Sequence, residues 1–385
     1  MILSEQQMMI RDAVRTFCDS EIAPQAARWD RERIFPREVH RRLGELGCYG
    51  VMVSEAWGGA GLDALSLSLI LEEIAAADGG TSTAVSVNNC PVCSILETFG
   101  SDTQKQEFLI PLASGHMLGA FCLTEPQAGS NAAEIRCAAR LDGTDYVIDG
   151  VKQFITSGST AQVAIVIAVT EPDAPPNRRM SAFIVPTDTP GYRVAHLEDK
   201  LGQHSSDTAQ IAFERCRVPA RMLIGAPGQG YRIALAGLEG GRIGIASQSI
   251  GMARAAFEAA LAYAQERSAF GKPIFEHQAV QFRLAEMATR IESARQMTWH
   301  AASLKDAGRP CMKEAAMAKL LASEMAERVC SDAIQVLGGY GVVRDFPLER
   351  IYRDVRVCQI YEGTSDIQKL IIARQLSGSH SAARR

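Results

Sequence analysis

Tyr361-Glu362-Gly363-Thr364-Ser365 places a carboxylate between an aromatic ring and a small-residue turn, downstream of a run of Ile, Val, Tyr and Arg. A glutamate in such company is a candidate general base, because burial among apolar side chains raises a carboxylate pKa toward neutrality. A glutamate beside a glycine is also the ordinary composition of a solvated turn, and the stretch by itself does not separate the two readings. A second carboxylate, Glu239 in Leu238-Glu239-Gly240-Gly241-Arg242, is the rival. Arg242 follows it at i+3 on one helical face, so a surface ion pair is the alternative there.

Neither G-x-G-x-x-G nor G-x-x-x-x-G-K-[ST] occurs, so the dinucleotide fingerprint and the P-loop are both absent. Thr124-Glu125-Pro126-Gln127-Ala128-Gly129-Ser130-Asn131 instead offers two hydroxyls and several backbone N–H groups, a suitable lining for a polar ring edge or a phosphate. Residues 225–231 and 337–342 are glycine-rich as element ends commonly are. Cys90-Pro91-Val92-Cys93 has C-x-x-C spacing, yet no second Cys or His pair completes a zinc site and no βαβ setting supports a redox pair. Buried helical thiols are the expectation, and no metal.

Three segments must position these groups. Residues 1–118 read as a helical domain: Ser4 and Gln7 form a capping box, Ile10, Val14, Phe17 and Ile22 recur at helical spacing, and 63–77 is a strong apolar helix. Residues 119–228 switch to short β-branched runs between Asp-Gly, Pro and Gly, a β-domain of antiparallel strands. Residues 229–377 return to long helices near 230–267, 276–307, 311–337 and 364–376, a four-helix bundle with short connections. The tail 378–385 has a disordered composition.

The chain has 385 residues, 47% apolar and 22% charged, which suits a folded protein of two or three packed units. A net charge of -4 and no basic face exclude nucleic acid as a partner. No apolar run is long enough for a membrane span, and the charges from residue 5 onward argue against a signal peptide. Ten scattered cysteines fit a reducing compartment, so a cytoplasmic location is expected.

In chain order, FCLTEPQAGSNAAEIRCAA, GVKQFITSG, DKLGQHSSDTAQIAFERCRVP, GLEGGRIGIASQSIG, YAQERSAFGKPIFEHQAVQF, SDAIQVLGGYGV and IYEGTSDIQKLIIARQL resemble the acyl-CoA dehydrogenase family of flavoproteins over about residues 3–376. The resemblance implies an α+β multidomain fold of helical domain, β-domain and four-helix bundle, with FAD bound without a Rossmann motif. By motif, Phe121 and Thr124 would line the flavin, Gly129 and Ser130 would lie near flavin and substrate, and Phe154, Ile155 and Thr156 would cover the ring. Arg267, Phe270, Gln278 and Gln335, Val336, Leu337, Gly338 and Gly339 would hold the pyrophosphate and adenosine part, partly from a neighbouring subunit of a homotetramer, a dimer of dimers. Thr364, Ser365 and Asp366 match further FAD contacts, and Glu362 matches the catalytic base. Ser130, Glu239, Arg242 and Gly363 would contact substrate; Gly241 fills the position where some branched-chain relatives carry the base. Asn131 and Asp366 depart from the commoner Asp and Glu, which puts their individual contacts in doubt.

The implied reaction is α,β-dehydrogenation of an acyl-CoA to a trans-2-enoyl-CoA, with electrons passed to an electron-transferring flavoprotein. A thioester α-proton is too weak an acid for a carboxylate of ordinary pKa, so a buried base and hydrogen bonds to the thioester carbonyl are both required. Ser86-Val87-Asn88-Asn89 within residues 83–96 resembles short-chain members, which implies straight or singly branched acyl groups of roughly four to six carbons. The alternatives are oxidation of an acyl group on a carrier protein, an oxidase, and a DNA-associated relative.

Overall fold

The computed structural model of the protein describes residues 1–377, so the expected disordered tail lies outside the described residues. The first segment is helical: α1 (Glu5–Phe17), α2 (Ala23–Glu32), α3 (Arg37–Glu45), α4 (Ala64–Ala77), α5 (Gly79–Val87), α6 (Ser94–Phe99), α7 (Asp102–Gln104) and α8 (Ile110–Ala113). Ser4 opens α1 with the expected capping box, its hydroxyl accepting from the Gln7 N–H while the Gln7 side chain accepts from the Ser4 N–H. Cys90 and Cys93 lie buried and unpaired in the turn Asn88–Cys93, where burial raises both thiol pKa values.

α4 is apolar nearly all round, the pattern of a helix buried on every side. Its Leu67, Ile70, Leu71 and Ile74 join a core shared with the first helices and the sheet, whereas Leu65 and Leu69 join the core of the bundle. The two carboxylates it carries inward are both paired. Arg15 and Arg254 hold Glu73 at 2.8 and 2.6 Å, and Arg295 holds Glu72 at 2.9 Å. Buried charges are tolerated on such terms.

Strands β1 (Gly119–Cys122), β2 (Ala138–Asp142), β3 (Asp145–Thr156), β4 (Val163–Val169), β5 (Met180–Pro186), β6 (Tyr192–Leu197), β7 (Thr208–Pro219) and β8 (Leu223–Ile224) form one sheet in the order β6-β7-β3-β2-β4-β5-β8, with β1 on β4. Most neighbours are antiparallel, but β4 takes β1 and, at one residue pair, β2 as parallel partners. The β2–β3 hairpin separates β1 from β4 and supplies the long crossover that parallel pairing needs. β4 is buried along its whole length, hence its unbroken apolar sequence.

The bundle consists of α9 (Gly230–Glu266), α10 (Gln278–Asp306), α11 (Met312–Leu337) and, after the short α12 (Leu348–Val355), α13 (Ser365–Leu376). The link from α11 to α13 is therefore longer than the short connection expected, because α12 is recruited to the other segments. The Asp354 carboxylate at its end accepts the Gln203 N–H, and Arg353 holds Asp30 at 2.7 Å. Among the described residues no helix is long and apolar enough to cross a membrane.

One buried ion pair anchors the loop after β1. Lys152 Nζ on β3 lies 2.8 Å from Glu125 and donates to the Leu123 carbonyl at 2.9 Å. The Glu125 carboxylate also accepts the N–H groups of Arg136 and Cys137 at 2.7 and 2.9 Å. Burial works to raise the Glu125 pKa, but Lys152 and these bonds bring it below the usual range. Lys152→Met strands that carboxylate and should cost about 3–5 kcal/mol. Thermal unfolding measures it; a melting temperature lowered by less than about 1 °C would show that the stranded carboxylate carries no such cost.

Candidate active site

The geometry centres on a turn. Glu362 and Gly363, between the 3-10 turn Arg356–Gln359 and α13, have φ of 52° and 88°. Left-handed backbone at a non-glycine residue costs of order 1–3 kcal/mol and persists only where its surroundings enforce it. Here three elements do so. Lys319 Nζ on α11 donates to the Gly363 carbonyl at 2.7 Å, and Gln368 on α13 donates to the same carbonyl at 2.9 Å and to that of Glu362 at 3.3 Å. Tyr361, one residue earlier, donates its hydroxyl to Gln248 Oε1 on α9 at 2.9 Å. Thr364 then caps α13, its hydroxyl accepting the Ile367 N–H at 3.3 Å.

Held this way, the Glu362 side chain lies over α9. Its Oε2 is buried and has no hydrogen-bond partner among the described residues. A Cβ added at Gly241 would stand 2.7 Å from that oxygen, so a larger residue there would push the carboxylate aside. Burial pushes the Glu362 pKa up to about 7, against the pull of Arg242 and Lys319. Arg242 is itself buried, with Nε and Nη1 unpartnered among the described residues. Burial lowers its pKa, opposed by Glu362 and Glu239. The surface-pair alternative for Glu239 and Arg242 therefore does not hold: Glu239 accepts the Cys311 thiol at 3.5 Å, and Arg242 faces the Glu362 carboxylate.

Gly240, next to the Gly241 that seats this carboxylate, lines a mostly apolar slot between α4 and α9 together with Met52, Ala64, Leu67, Ser68, Leu71, Ile243, Gly244 and Lys305, with room for about one water molecule, ≈ 10 Å³. The segment 83–96 closes it from the side. Ser86 Oγ and Cys90 Sγ lie 2.7 and 2.8 Å from where Cβ atoms at Gly244 and Gly240 would be. An open cleft at the start of α9 carries Asn177, Arg178, Gln229, Tyr231 and Arg232.

The other residues singled out in the sequence fall into two sets. Phe121, Thr124, Gly129 and Ser130 belong to β1 and the loop that Glu125 anchors, and the Thr124 carbonyl accepts the Gln153 N–H of β3 at 2.8 Å. Phe154 on β3 is 63% exposed and Thr156 half-buried, while the Ile155 side chain points into the sheet core. Arg267, Phe270 and Gln278 sit at the far end of α9 with Gln335, Gly338 and Gly339, as the contact of Tyr263 with Tyr340 shows (ring centroids 6.2 Å apart). Val336 and Leu337 bury their side chains in the bundle and leave only backbone to that end. At 1.5 Å per residue the far end of α9 is roughly 40 Å from Gly241. One chain does not bring the two sets together.

The sequence reading missed Lys319, Gln248 and Gln368. Lys319 carried a signal: it falls at the spacing of Ala315, Ala322 and Ala326, on the apolar face of α11.

Helices, a sheet and a bundle thus converge on one turn-borne carboxylate with a buried oxygen. Family models for the acyl-CoA dehydrogenase N-terminal, middle and C-terminal domains match residues 4–116, 120–216 and 228–377. The chain belongs to the acyl-CoA dehydrogenase family and is an oxidoreductase. It is 46% identical to the mouse mitochondrial short-chain specific acyl-CoA dehydrogenase over 98% of this chain and 92% of that one. Among solved structures, butyryl-CoA dehydrogenase from Megasphaera elsdenii is 37% identical with a TM-score of 0.96, covering 98% of this chain and 99% of its own. A chain described with the electron transferring flavoprotein of Acidaminococcus fermentans is 42% identical with a TM-score of 0.95, over 97% and 98% of the two chains.

The family is FAD-dependent. This chain's residues fit such a group: the Ser365 hydroxyl is buried without a partner among the described residues, a Cβ at Gly129 would meet nothing within 4 Å, and the Phe154 and Phe270 rings are exposed.

Gly241→Ala should push the Glu362 carboxylate off its seat and lower kcat at least ~10-fold with flavin absorbance retained, since displacements of an ångström carry penalties of that order. Turnover unchanged from the parent would show that the carboxylate has room to spare.

Proposed function

We propose that this protein dehydrogenates short-chain acyl-CoA thioesters, straight or singly branched, to trans-2-enoyl-CoA, with Glu362 as the base. The observation that carries the reading is the buried Glu362 oxygen over Gly241, unpartnered among the described residues, with the carboxyl pKa raised to about 7. A base of that pKa is about half ionised at neutral pH and strong enough to take an α-proton from a thioester whose carbonyl is held by hydrogen-bond donors. FAD, when bound, supplies the acceptor for the hydride that leaves the β-carbon. Thr124, Gly129, Ser130, Phe154 and Ser365 would hold its flavin end and Ser130 the neighbouring thioester, while the apolar walls exclude water from the reacting carbons.

The tight packing around Gly240 and Gly244 supports a short acyl chain over a long one. Each added methylene gains about 0.8 kcal/mol where space exists. Beside Gly244 it meets Leu71 and Ser86, which even an added Cβ would approach to 3.3 and 2.7 Å, and must displace them. Arg178 and Arg232 support the phosphate end of coenzyme A: Arg232 lies about 14 Å along α9 from Gly241, within reach of a pantetheine arm.

Arg267, Phe270, Gln278 and Gln335 are too far from the same chain's Glu362 to hold one cofactor with Thr124. That separation supports a flavin held between copies of the chain in a homotetramer. The Acidaminococcus neighbour supports an electron-transferring flavoprotein as acceptor.

Glu362→Gln keeps size and polarity but removes the proton acceptor. It should retain FAD and lose kcat by ~10³-fold, within the 10²–10⁴ typical of general-base catalysis. In the parent enzyme activity should rise with pH through about 7, because only the ionised carboxylate accepts the proton. A variant with turnover near that of the parent would remove Glu362 from the role.

For the substrate, kcat/KM is measured across butyryl-, isobutyryl-, 2-methylbutyryl-, hexanoyl-, octanoyl- and palmitoyl-CoA. The expected maximum is at roughly four to six carbons. A maximum at octanoyl-CoA or beyond rejects the short-chain assignment and leaves the dehydrogenation intact.

A further inference from the structure

Lys319 is fully buried (0% exposed) in the middle of α11, on a helix face otherwise made of alanine and other apolar side chains. No carboxylate lies within ion-pair distance of it among the described residues. Its one hydrogen bond goes to a neutral acceptor, the Gly363 carbonyl. An ammonium kept from water without a direct counter-ion is costly, and apolar residues of similar volume would pack the same space. Its neighbour across that carbonyl is Glu362.

We propose that Lys319 is a positioning residue for the Glu362 base: its ammonium pins the Gly363 carbonyl, holds Glu362 and Gly363 in consecutive left-handed conformations over Gly241, and sets by its charge the pH at which Glu362 ionises. The inference rests on the reading of Glu362 as the base.

The charged and titratable groups around the pair are few. Glu362 is faced by Arg242 from α9, Lys319 from α11 and the Cys90 thiol from the turn before α6; Lys319 is faced by Glu362, Arg242 and the Cys358 thiol. Burial raises the pKa of both thiols, which stay neutral at working pH. Arg242 and Lys319 are thus the two charges that favour the ionised carboxylate. Lys319, brought down to about 8 by burial, remains charged where Glu362 titrates. Gln368 grips the same carbonyl without a charge, so geometry and charge can be separated by substitution.

The experiment uses the FAD-loaded enzyme with butyryl-CoA and records kcat, KM and the acidic limb of the kcat profile. Lys319→Met should lower kcat at least ~10-fold with KM little changed, and move the acidic limb upward by about half a pH unit or more, as loss of a nearby opposite charge requires. Gln368→Leu should lower kcat and leave the limb in place. If Lys319→Met fails to give folded holoenzyme by flavin absorbance and melting temperature, Lys319→Gln removes the charge and keeps a donor, and the same upward displacement is expected. A limb that stays fixed on loss of the charge overturns the proposal, as does a Lys319→Met kcat equal to that of the parent. An equal displacement in Gln368→Leu overturns it too, because the limb would then follow the turn rather than the charge. If Glu362→Gln itself retains activity, the failure belongs to the assignment of the base.

Discussion

An oxygen that must stay dry and unpartnered, yet able to carry a charge, is the constraint on which this structure depends. Oε2 of Glu362 meets it: among the described residues no donor reaches it, and the cations that favour its ionised form stand at a remove. A direct salt bridge would drop the carboxylate pKa and make it a poor base; an all-apolar setting would leave it protonated at neutral pH. The intermediate outcome, near 7, needs cations close enough to be felt without a direct bond to the oxygen. Lys319 is directed to the Gly363 carbonyl, and Arg242 faces the carboxylate with two of its guanidinium nitrogens unpartnered among the described residues.

Holding such a group still is a task shared by all three segments. The Tyr361 hydroxyl, one residue from Glu362, meets Gln248 from the bundle, Gln203 from the β-segment at 3.4 Å and Thr83 from the first helices at 3.5 Å. Gln203 in turn receives the Thr83 hydroxyl at 2.8 Å on its Oε1, donates to the Asp354 carbonyl at 3.1 Å, and gives its N–H to the Asp354 carboxylate. Arg350 lies between Asp78 and Asp354, at 3.5 and 3.7 Å. A rigid-body movement of any one segment would break bonds in this knot, so the strained turn inherits the stiffness of the whole molecule.

Much of this was legible in the sequence, and the reasons for the remainder are physical. Period changes located the helical, β and helical segments, and the strands β3, β4, β5 and β7 fall where β-branched runs lie. Short β1, β2, β6 and β8 carry too few residues to show a period, and α12 is called into being by contacts from elsewhere in the chain. Glu362 stood out through its motif, but its left-handed backbone did not, because nothing local asks a glutamate for positive φ. Gln248 and Gln203 are invisible for a related reason: a buried glutamine reads as a surface residue until its partners are known.

The site also sets terms for the stability of the molecule. The folded-state pKa of Glu362 lies above its ordinary 4.5, so stability from this group is full below that value and lost as pH rises through about 7. A gap of that size corresponds to roughly 3 kcal/mol withheld where the base is ionised. Lys319 acts in the opposite sense: its folded pKa is depressed to about 8 from 10.5, so the penalty is full below about 8 and lifts progressively as pH rises from there to 10.5. At neutral pH both burdens are present together, and each group eases the other's, since the ammonium favours the carboxylate and the carboxylate the ammonium. Neutralising either one alone leaves the other buried and less compensated. The proposed base and its distant cation therefore form one unit, joined through a peptide carbonyl rather than by contact, which keeps the carboxylate oxygen free for the substrate proton.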